Sequence, residues 1–161
     1  MHELIAAINQ ERLIEVVVWP NQPRPPFADG PSSVGSVFAD SEMLAVRIDS
    51  GRWLVQTTTT AEYDGLDVTD VWIRLVVPAE VADEAWASAC ALDRQIVERD
   101  RRAVFTRFAR IRALVLPASV LRSTGGTETG FQVWLSASYG EHVLRWLEED
   151  LGALETPVPS A

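Results

Sequence analysis

The residues with the clearest potential for chemistry are seven arginines between Arg94 and Arg112, in a chain of formal net charge −9 that contains no lysine. Guanidinium groups bind carboxylates and phosphates through paired hydrogen bonds. One basic stretch in an otherwise acidic chain is a natural docking point for an anion or an acidic partner. We therefore predict a partner-binding surface made of Arg99, Arg101, Arg102, Arg107, Arg110 and Arg112.

The same arginines also have a structural interpretation. Cations in the last turn of a helix stabilise its C-terminus, and Glu98 and Arg102 have the i, i+4 spacing of an ion pair. Charge runs are commonly solvated faces of a helix or strand. The sequence alone leaves both interpretations open.

Carboxylates crowd the segment AEYDGLDVTD, around Gly65. Oxygen ligands in such loops suit calcium or magnesium. The spacing matches no EF-hand loop, and aspartate and glycine are ordinary turn residues. We therefore expect a turn and no metal site, and whether Asp64, Asp67 and Asp70 bind a cation stays open.

Histidine and cysteine are too scarce for the common metal sites and nucleophiles. A zinc site needs three or four nitrogen or sulfur ligands, whereas His2, Cys90 and His142 are far apart in the sequence. The absence of lysine excludes a Schiff base and a phosphate-loop lysine. We predict that Cys90 is a core thiol and that the protein uses no cofactor.

Acid–base catalysis by carboxylates has no sequence signature, so it stays open as the alternative function. A small isomerase, cyclase or hydrolase would need Asp, Glu or Tyr groups in an aromatic-lined cavity. Such a cavity would be lined by Tyr63, Tyr139, Trp53, Trp72 and Trp134. Tryptophan is nevertheless common in ordinary cores.

Composition indicates one globular domain over residues 1–155 and a flexible tail over residues 156–161. The chain has 161 residues, of which 47% are hydrophobic, and a single cysteine. A lone cysteine fits a reducing compartment. No signal peptide and no membrane span are expected, and the acidic balance argues against binding nucleic acid. We therefore predict a cytoplasmic protein.

Hydrophobic periodicity predicts an α+β fold with a mainly antiparallel sheet, made of a five-strand meander plus three later strands. One long central helix and a C-terminal helix pack with it. In chain order the predicted elements are a helix at Glu3–Arg12, strands at Ile14–Trp19, Val34–Ala39, Met43–Asp49, Arg52–Thr60 and Thr69–Val77, a helix from Ala79 to about Arg101, strands at Val104–Leu116 (with a bulge near Arg107), Ser119–Ser123 and Phe131–Ala137, and a helix from Ser138 to Leu151.

The arginines and the missing catalytic motifs together favour a binding protein over an enzyme. We predict a non-enzymatic protein of the bacterial cytoplasm, of the inhibitor, immunity-protein, adaptor or chaperone kind. It would act through contact with a protein partner that the sequence does not identify. A homodimer stays open, because an exposed strand edge or an outward Trp72 could support one.

Overall fold

Two five-stranded antiparallel sheets form the centre of the fold in the computed structural model, which describes residues 6–7, 11–29, 33–57, 65–121 and 129–155. The α+β class and the antiparallel pairing confirm the prediction from sequence. The strands are β1 Ala6–Ala7, β2 Arg12–Val17, β3 Val37–Ala39, β4 Met43–Asp49, β5 Arg52–Thr57, β6 Gly65–Asp67, β7 Trp72–Pro78, β8 Val104–Phe108, β9 Ile111–Pro117 and β10 Thr129–Ser136. The first sheet has the order β1-β7-β10-β9-β8, and the second has the order β3-β4-β5-β2-β6.

The predicted strands that begin at Met43 and Arg52 pair as the β4–β5 hairpin. Asp49 pairs with Arg52, so Ser50 and Gly51 form the two-residue turn, with a positive φ of 71° at the glycine. Leu44 and Val46 pack in the core between the two sheets. Ala45 is also buried, on the outer face, because a short 3-10 helix at Pro26–Asp29 covers that face with the ring of Phe27.

The predicted five-strand meander does not form one sheet. The β7 strand, predicted as the fifth strand of the meander, belongs to the first sheet and pairs there with β1 and β10. Both faces of β7 are therefore covered, one by helices and one by the second sheet. Arg74 is therefore only 1% exposed, although it is a charged residue.

The helices are α1 Ala82–Ala89, α2 Arg94–Asp100, α3 Ala118–Leu121 and α4 Gly140–Glu155. The long central helix predicted from sequence is thus two helices. The break is stabilised by two contacts: the Trp86 indole donates to the Leu92 carbonyl, and the Asp93 side chain accepts from the Gln95 N–H at the start of α2. Because the helix breaks, Leu92 and Ile96 do not pack on the sheet and are exposed.

The single bulged strand predicted at Val104–Leu116 is a hairpin instead. Phe108 pairs with Ile111, and the turn residues Ala109 and Arg110 both have positive φ, of 47° and 68°. Positive φ at both central residues is the signature of a type I′ turn, which matches the right-handed twist of two adjacent strands. A bulge near Arg107 was predicted because the apolar side chains change faces in this part of the sequence. The turn at Ala109 and Arg110 accounts for that change of faces.

Four further predictions are corrected or lie outside the described residues. Ala6 and Ala7 are paired with β7, so the N-terminal helix prediction is wrong there. The predicted strand at Ser119–Ser123 begins as α3, because a carboxylate from α2 caps that helix. Gly152 does not end the last helix, which continues to Glu155. The predicted tail, residues 156–161, lies outside the described part of the chain.

The layers stack as helices, first sheet, second sheet and covering loop. The α1 and α4 helices pack on the outer face of the first sheet around Phe131, Val133 and Leu147. The two sheets pack together around Leu54, Leu114 and Trp134. None of the helices in the described ranges has both the length and the apolar character needed to cross a membrane.

Candidate functional site

The structure divides the six predicted arginines between two places. Arg99, Arg101 and Arg102 follow one another at the C-terminal end of α2. Arg107, Arg110 and Arg112 lie on the β8–β9 hairpin. All six are exposed.

At the C-terminal end of α2, two of the three arginines contact other groups of the same chain. Arg102 donates to the Ser33 hydroxyl at 3.3 Å, and Arg99 lies 4.0 Å from an Asp100 oxygen. Arg101 adopts a left-handed conformation, with φ of 52°, as the residue that ends α2. The predicted pair of Glu98 with Arg102 is absent from the salt bridges of the described residues. Glu98 instead lies 3.9 Å from Arg94.

The hairpin tip is held in its left-handed turn by the neighbouring helices. The Ala109 N–H donates to the Ala89 carbonyl at the end of α1 (2.9 Å), and the Ala109 carbonyl lies 3.2 Å from Nε2 of His142 in α4. These contacts offset the cost of roughly 1–2 kcal/mol for each non-glycine residue in this conformation. The turn therefore has a fixed position, and it places Arg110 between the Trp146 ring and the opening between the sheets.

Arg107 and Arg112 are directly opposite each other on adjacent strands. Their side chains lie on the face of the first sheet that looks toward the second sheet, as Leu114 and Leu116 do two and four residues after Arg112. Within the described ranges, neither these two arginines nor Arg110 forms a salt bridge with a carboxylate. Like charges directly opposite in a sheet destabilise it, so this pair is an unfavourable arrangement for the isolated fold.

This arrangement gives a prediction for stability. Arg107→Glu should raise the free energy of unfolding by roughly 0.2–1 kcal/mol, because it turns a repulsive cross-strand pair with Arg112 into an attractive one. Arg107→Gln, which removes only the repulsion, should give a smaller gain. Urea denaturation followed by circular dichroism measures both. A loss of stability in Arg107→Glu would mean that this arginine already has an acidic partner in the fold.

A cavity of about 620 Å³ opens beside the hairpin, where the ends of the two sheets separate. The first sheet, its β8–β9 turn and the residues after β10 contribute Trp72, Phe105, Arg110, Arg112 and Tyr139. The second sheet contributes Ile48, Asp49 and Arg52. The cavity therefore combines apolar walls with three guanidinium groups and one carboxylate.

The second-sheet side carries two carboxylates around one guanidinium. The Arg52 Nε donates to Glu15 at 2.8 Å, and its guanidinium lies 3.8 Å from Asp49. On the opposite side, the Arg112 guanidinium lies 5.2 Å from the centre of the Phe105 ring, and the Arg110 guanidinium lies 5.5 Å from that of Trp146. These ring contacts orient the guanidinium groups without neutralising them. The uncompensated positive charge is therefore on the hairpin side.

In the acidic turn predicted from sequence, one of the two described aspartates is held by contacts within the fold. Asp67 accepts from the hydroxyl and the N–H of Thr69, and these bonds, with smaller help from Arg12, lower the pKa of its carboxyl. Asp64 lies outside the described residues. Across the described ranges, no three His, Cys, Asp or Glu side chains come together as metal ligands would.

The Cys90 thiol is buried against the first sheet, in the gap between α1 and α2. Burial raises its pKa, which opposes the thiolate form that a nucleophile requires. His142 contacts the Ala109 carbonyl and lies beside the Trp146 ring. Both residues therefore have structural contacts in the helix layer.

Sequence reasoning raised an aromatic-lined cavity only as the alternative function and did not place it, because its walls come from four separate parts of the chain. Trp72 and Tyr139 were both named as cavity-lining candidates, and they do line it together with Asp49. Trp53 and Trp134 do not, because they are buried in the cores on either side of the second sheet. Tyr63 lies outside the described residues.

Among known proteins, a solved structure with a similar fold is found. No protein-family model matches the chain, and no curated protein matches it. The structure is similar to one chain of the heterotetrameric sarcosine oxidase from Corynebacterium sp. U-96 in complex with pyrrole 2-carboxylate, with a TM-score of 0.70 and 16% sequence identity over 97% of this chain and 87% of that chain. At this level of identity, the similarity shows that the two chains share a fold.

Proposed function

We propose that this chain is a small binding protein of the cytoplasm that docks an acidic surface of another protein through Arg107, Arg110 and Arg112. The observation that carries the proposal is the opposed pair Arg107 and Arg112, which has no carboxylate partner within the described residues. An arrangement that costs stability in the isolated chain is expected where a partner supplies the missing negative charge. The rigid turn at Ala109 supports it, because a fixed surface loses little entropy on binding.

Two further facts agree with a role in an assembly. The chain with a similar fold belongs to a heterotetramer. The rest of this chain is strongly acidic, with 23 acidic residues against 14 arginines in total. The net negative charge of the chain repels acidic surfaces in general. An acidic partner should therefore bind only where it contacts the arginines of the hairpin. The buried free thiol of Cys90 is compatible with the reducing cytoplasm.

Affinity capture from the native host tests this proposal. Three tagged double variants change the net charge equally: Arg107→Glu with Arg112→Glu on the hairpin, Arg99→Glu with Arg102→Glu at the helix end, and Arg24→Glu with Arg145→Glu as the control. The hairpin variant keeps a like-charge pair, so its stability should stay close to that of the parent chain.

We expect one protein to be captured by the parent chain and by the control, and lost with the hairpin variant. Rebinding of the purified partner must reproduce the pattern. If the partner is lost only with the helix-end variant, the contact lies at the end of α2 and not on the hairpin. Equal capture by all three variants would contradict an arginine contact altogether.

A small enzyme is the second candidate, because Asp49 and Tyr139 both line the cavity. Such an enzyme would use the carboxylate as a base and the phenol as an acid or an oxyanion donor. The Asp49 side chain is 64% exposed, and its carboxylate lies 3.8 Å from Arg52. An acid–base carboxylate is expected in an enclosed apolar pocket, so we place the binding function first.

A further inference from the structure

The cavity has the size of a binding site and walls of mixed character. Its volume of about 620 Å³ lies inside the range of about 300–1,000 Å³ that is usual for such sites. Trp72 and Phe105 continue the core between the sheets into its floor. Val71 and Tyr139, which also line it, are 57% and 47% exposed.

The exposed apolar surface continues beyond the cavity along the second sheet. Val17 is the strand partner of Arg52, and Leu66 is the strand partner of Glu15, so both lie on the inner face that carries the cavity wall. They are 39% and 67% exposed. The cavity and the exposed apolar surface beside it, here called the groove, suit a stretch of peptide better than a compact small molecule.

The charge of this groove selects an acidic occupant. Arg110 and Arg112 at one side have no carboxylate partner in the described part of the chain. Arg52 on the other side lies beside two carboxylates, Glu15 and Asp49, so that side carries no excess positive charge. An occupant with carboxylates at the hairpin side would form bidentate contacts, while its apolar side chain would cover Trp72 and Tyr139.

We propose that this cavity binds an acidic segment of a partner protein, in which carboxylates flank an apolar or aromatic side chain. The inference rests on the proposed function and extends it, because it names the chemistry of the segment and the place it enters. The apolar side chain enters between the sheets, and the carboxylates bind Arg110 and Arg112. The segment thereby supplies the negative charge that the hairpin lacks.

Titration of the isotope-labelled full chain with synthetic hexapeptides tests the inference. The probe is acetylated and amidated EDFLED, with QNFLQN as the uncharged analogue and EDGGED as the analogue without apolar side chains. Amide and side-chain NMR spectra report binding at the Trp72 indole N–H and the Arg112 Nε–H, and the buried Trp86 indole N–H serves as a reference. The same spectra show whether each variant is folded.

We expect EDFLED to shift the Trp72 and Arg112 signals with sub-millimolar affinity and to bind at least about tenfold more tightly than either analogue. Arg110→Gln with Arg112→Gln should weaken binding by a similar factor, whereas Arg24→Gln with Arg145→Gln should leave it unchanged. Equal binding of EDFLED and EDGGED would overturn the role of the cavity. Tighter binding of benzoate than of EDFLED would overturn the peptide assignment, and no shift at millimolar peptide would overturn the inference.

This result is separable from that of the capture experiment. Loss of the partner in the hairpin variant, without peptide binding, would support the docking face and overturn the cavity as its receptor. Peptide binding at Trp72 with undiminished capture by the hairpin variant would support the cavity and overturn the proposed docking face.

Discussion

Replacing Arg74 by alanine should lower the free energy of unfolding by about 3–5 kcal/mol, because it removes two hydrogen bonds of a buried charged group, and such bonds contribute about 1.5–3 kcal/mol each. Arg74 is 1% exposed between the two sheets. It donates to the Gln56 side chain at 3.1 Å and to the Glu11 backbone carbonyl. Burial lowers the pKa of its guanidinium, and the negative charge of Glu11 opposes that shift.

The loss should come mainly from the groups that Arg74 leaves behind. One carboxylate oxygen of Glu11 is buried and has no hydrogen-bond partner within the described residues, so the nearby guanidinium is its main source of compensation. Arg74→Met keeps most of the volume and should still be strongly destabilising, and Glu11→Gln combined with Arg74→Met should recover part of the loss. Urea denaturation measures these differences. Arg99→Ala, at a side chain that is 75% exposed, is the control and should stay within about 0.5 kcal/mol. A loss below about 1 kcal/mol in Arg74→Ala would show that the two sheets do not depend on this charge.

Glu98→Ala should lower the free energy of unfolding by about 2–3 kcal/mol, because hydrogen bonds to a charged group contribute about 1.5–3 kcal/mol each and this side chain is partly solvated. The two Glu98 oxygens accept from the backbone N–H groups of Ala118 and Ser119, at 2.9 and 2.8 Å. These N–H groups are the first of α3 and have no partner within that helix. Ala118 is 8% exposed, so water replaces the lost acceptor poorly.

Two substitutions separate this effect from a general loss of negative charge. Glu98→Gln keeps one acceptor oxygen and should cause an intermediate loss. Asp100→Ala removes a carboxylate two residues away that caps no helix, and it should change stability by less than about 0.5 kcal/mol. Thermal and urea denaturation provide the comparison. Equal effects of Glu98→Ala and Asp100→Ala would rule out the capping role.

The sequence predicts those parts of the fold that local chemistry determines. The β4–β5 hairpin was predictable because the apolar residues alternate and Ser50-Gly51 suits a two-residue turn. The turn at Ala109 and Arg110 was not, because neither residue favours positive φ. Contacts with Ala89 and His142 hold it, and both are distant in the sequence. The break before α2 had a local signal, the helix-capping Asp93, which the apolar periodicity obscured.

The candidate site shows the same division between local and distant information. The exposure of the arginines follows from their type, and all six are exposed. Their separation into a helix-end group and a hairpin group depends on where the chain turns. The burial of Arg74 depends on Glu11 and Gln56, which lie 63 and 18 residues before it. An arginine between valine- and leucine-rich positions gives no sign in the sequence that it is inside.

The affinity of the purified partner for the hairpin variant tests the account most directly. Isothermal titration at physiological ionic strength would compare the parent chain, Arg107→Glu with Arg112→Glu, and the control Arg24→Glu with Arg145→Glu. We predict that the hairpin variant binds at least about tenfold more weakly while it remains as stable as the parent chain, and that the control binds normally. Equal affinity for the parent chain and the hairpin variant would contradict the assignment of these arginines to a partner.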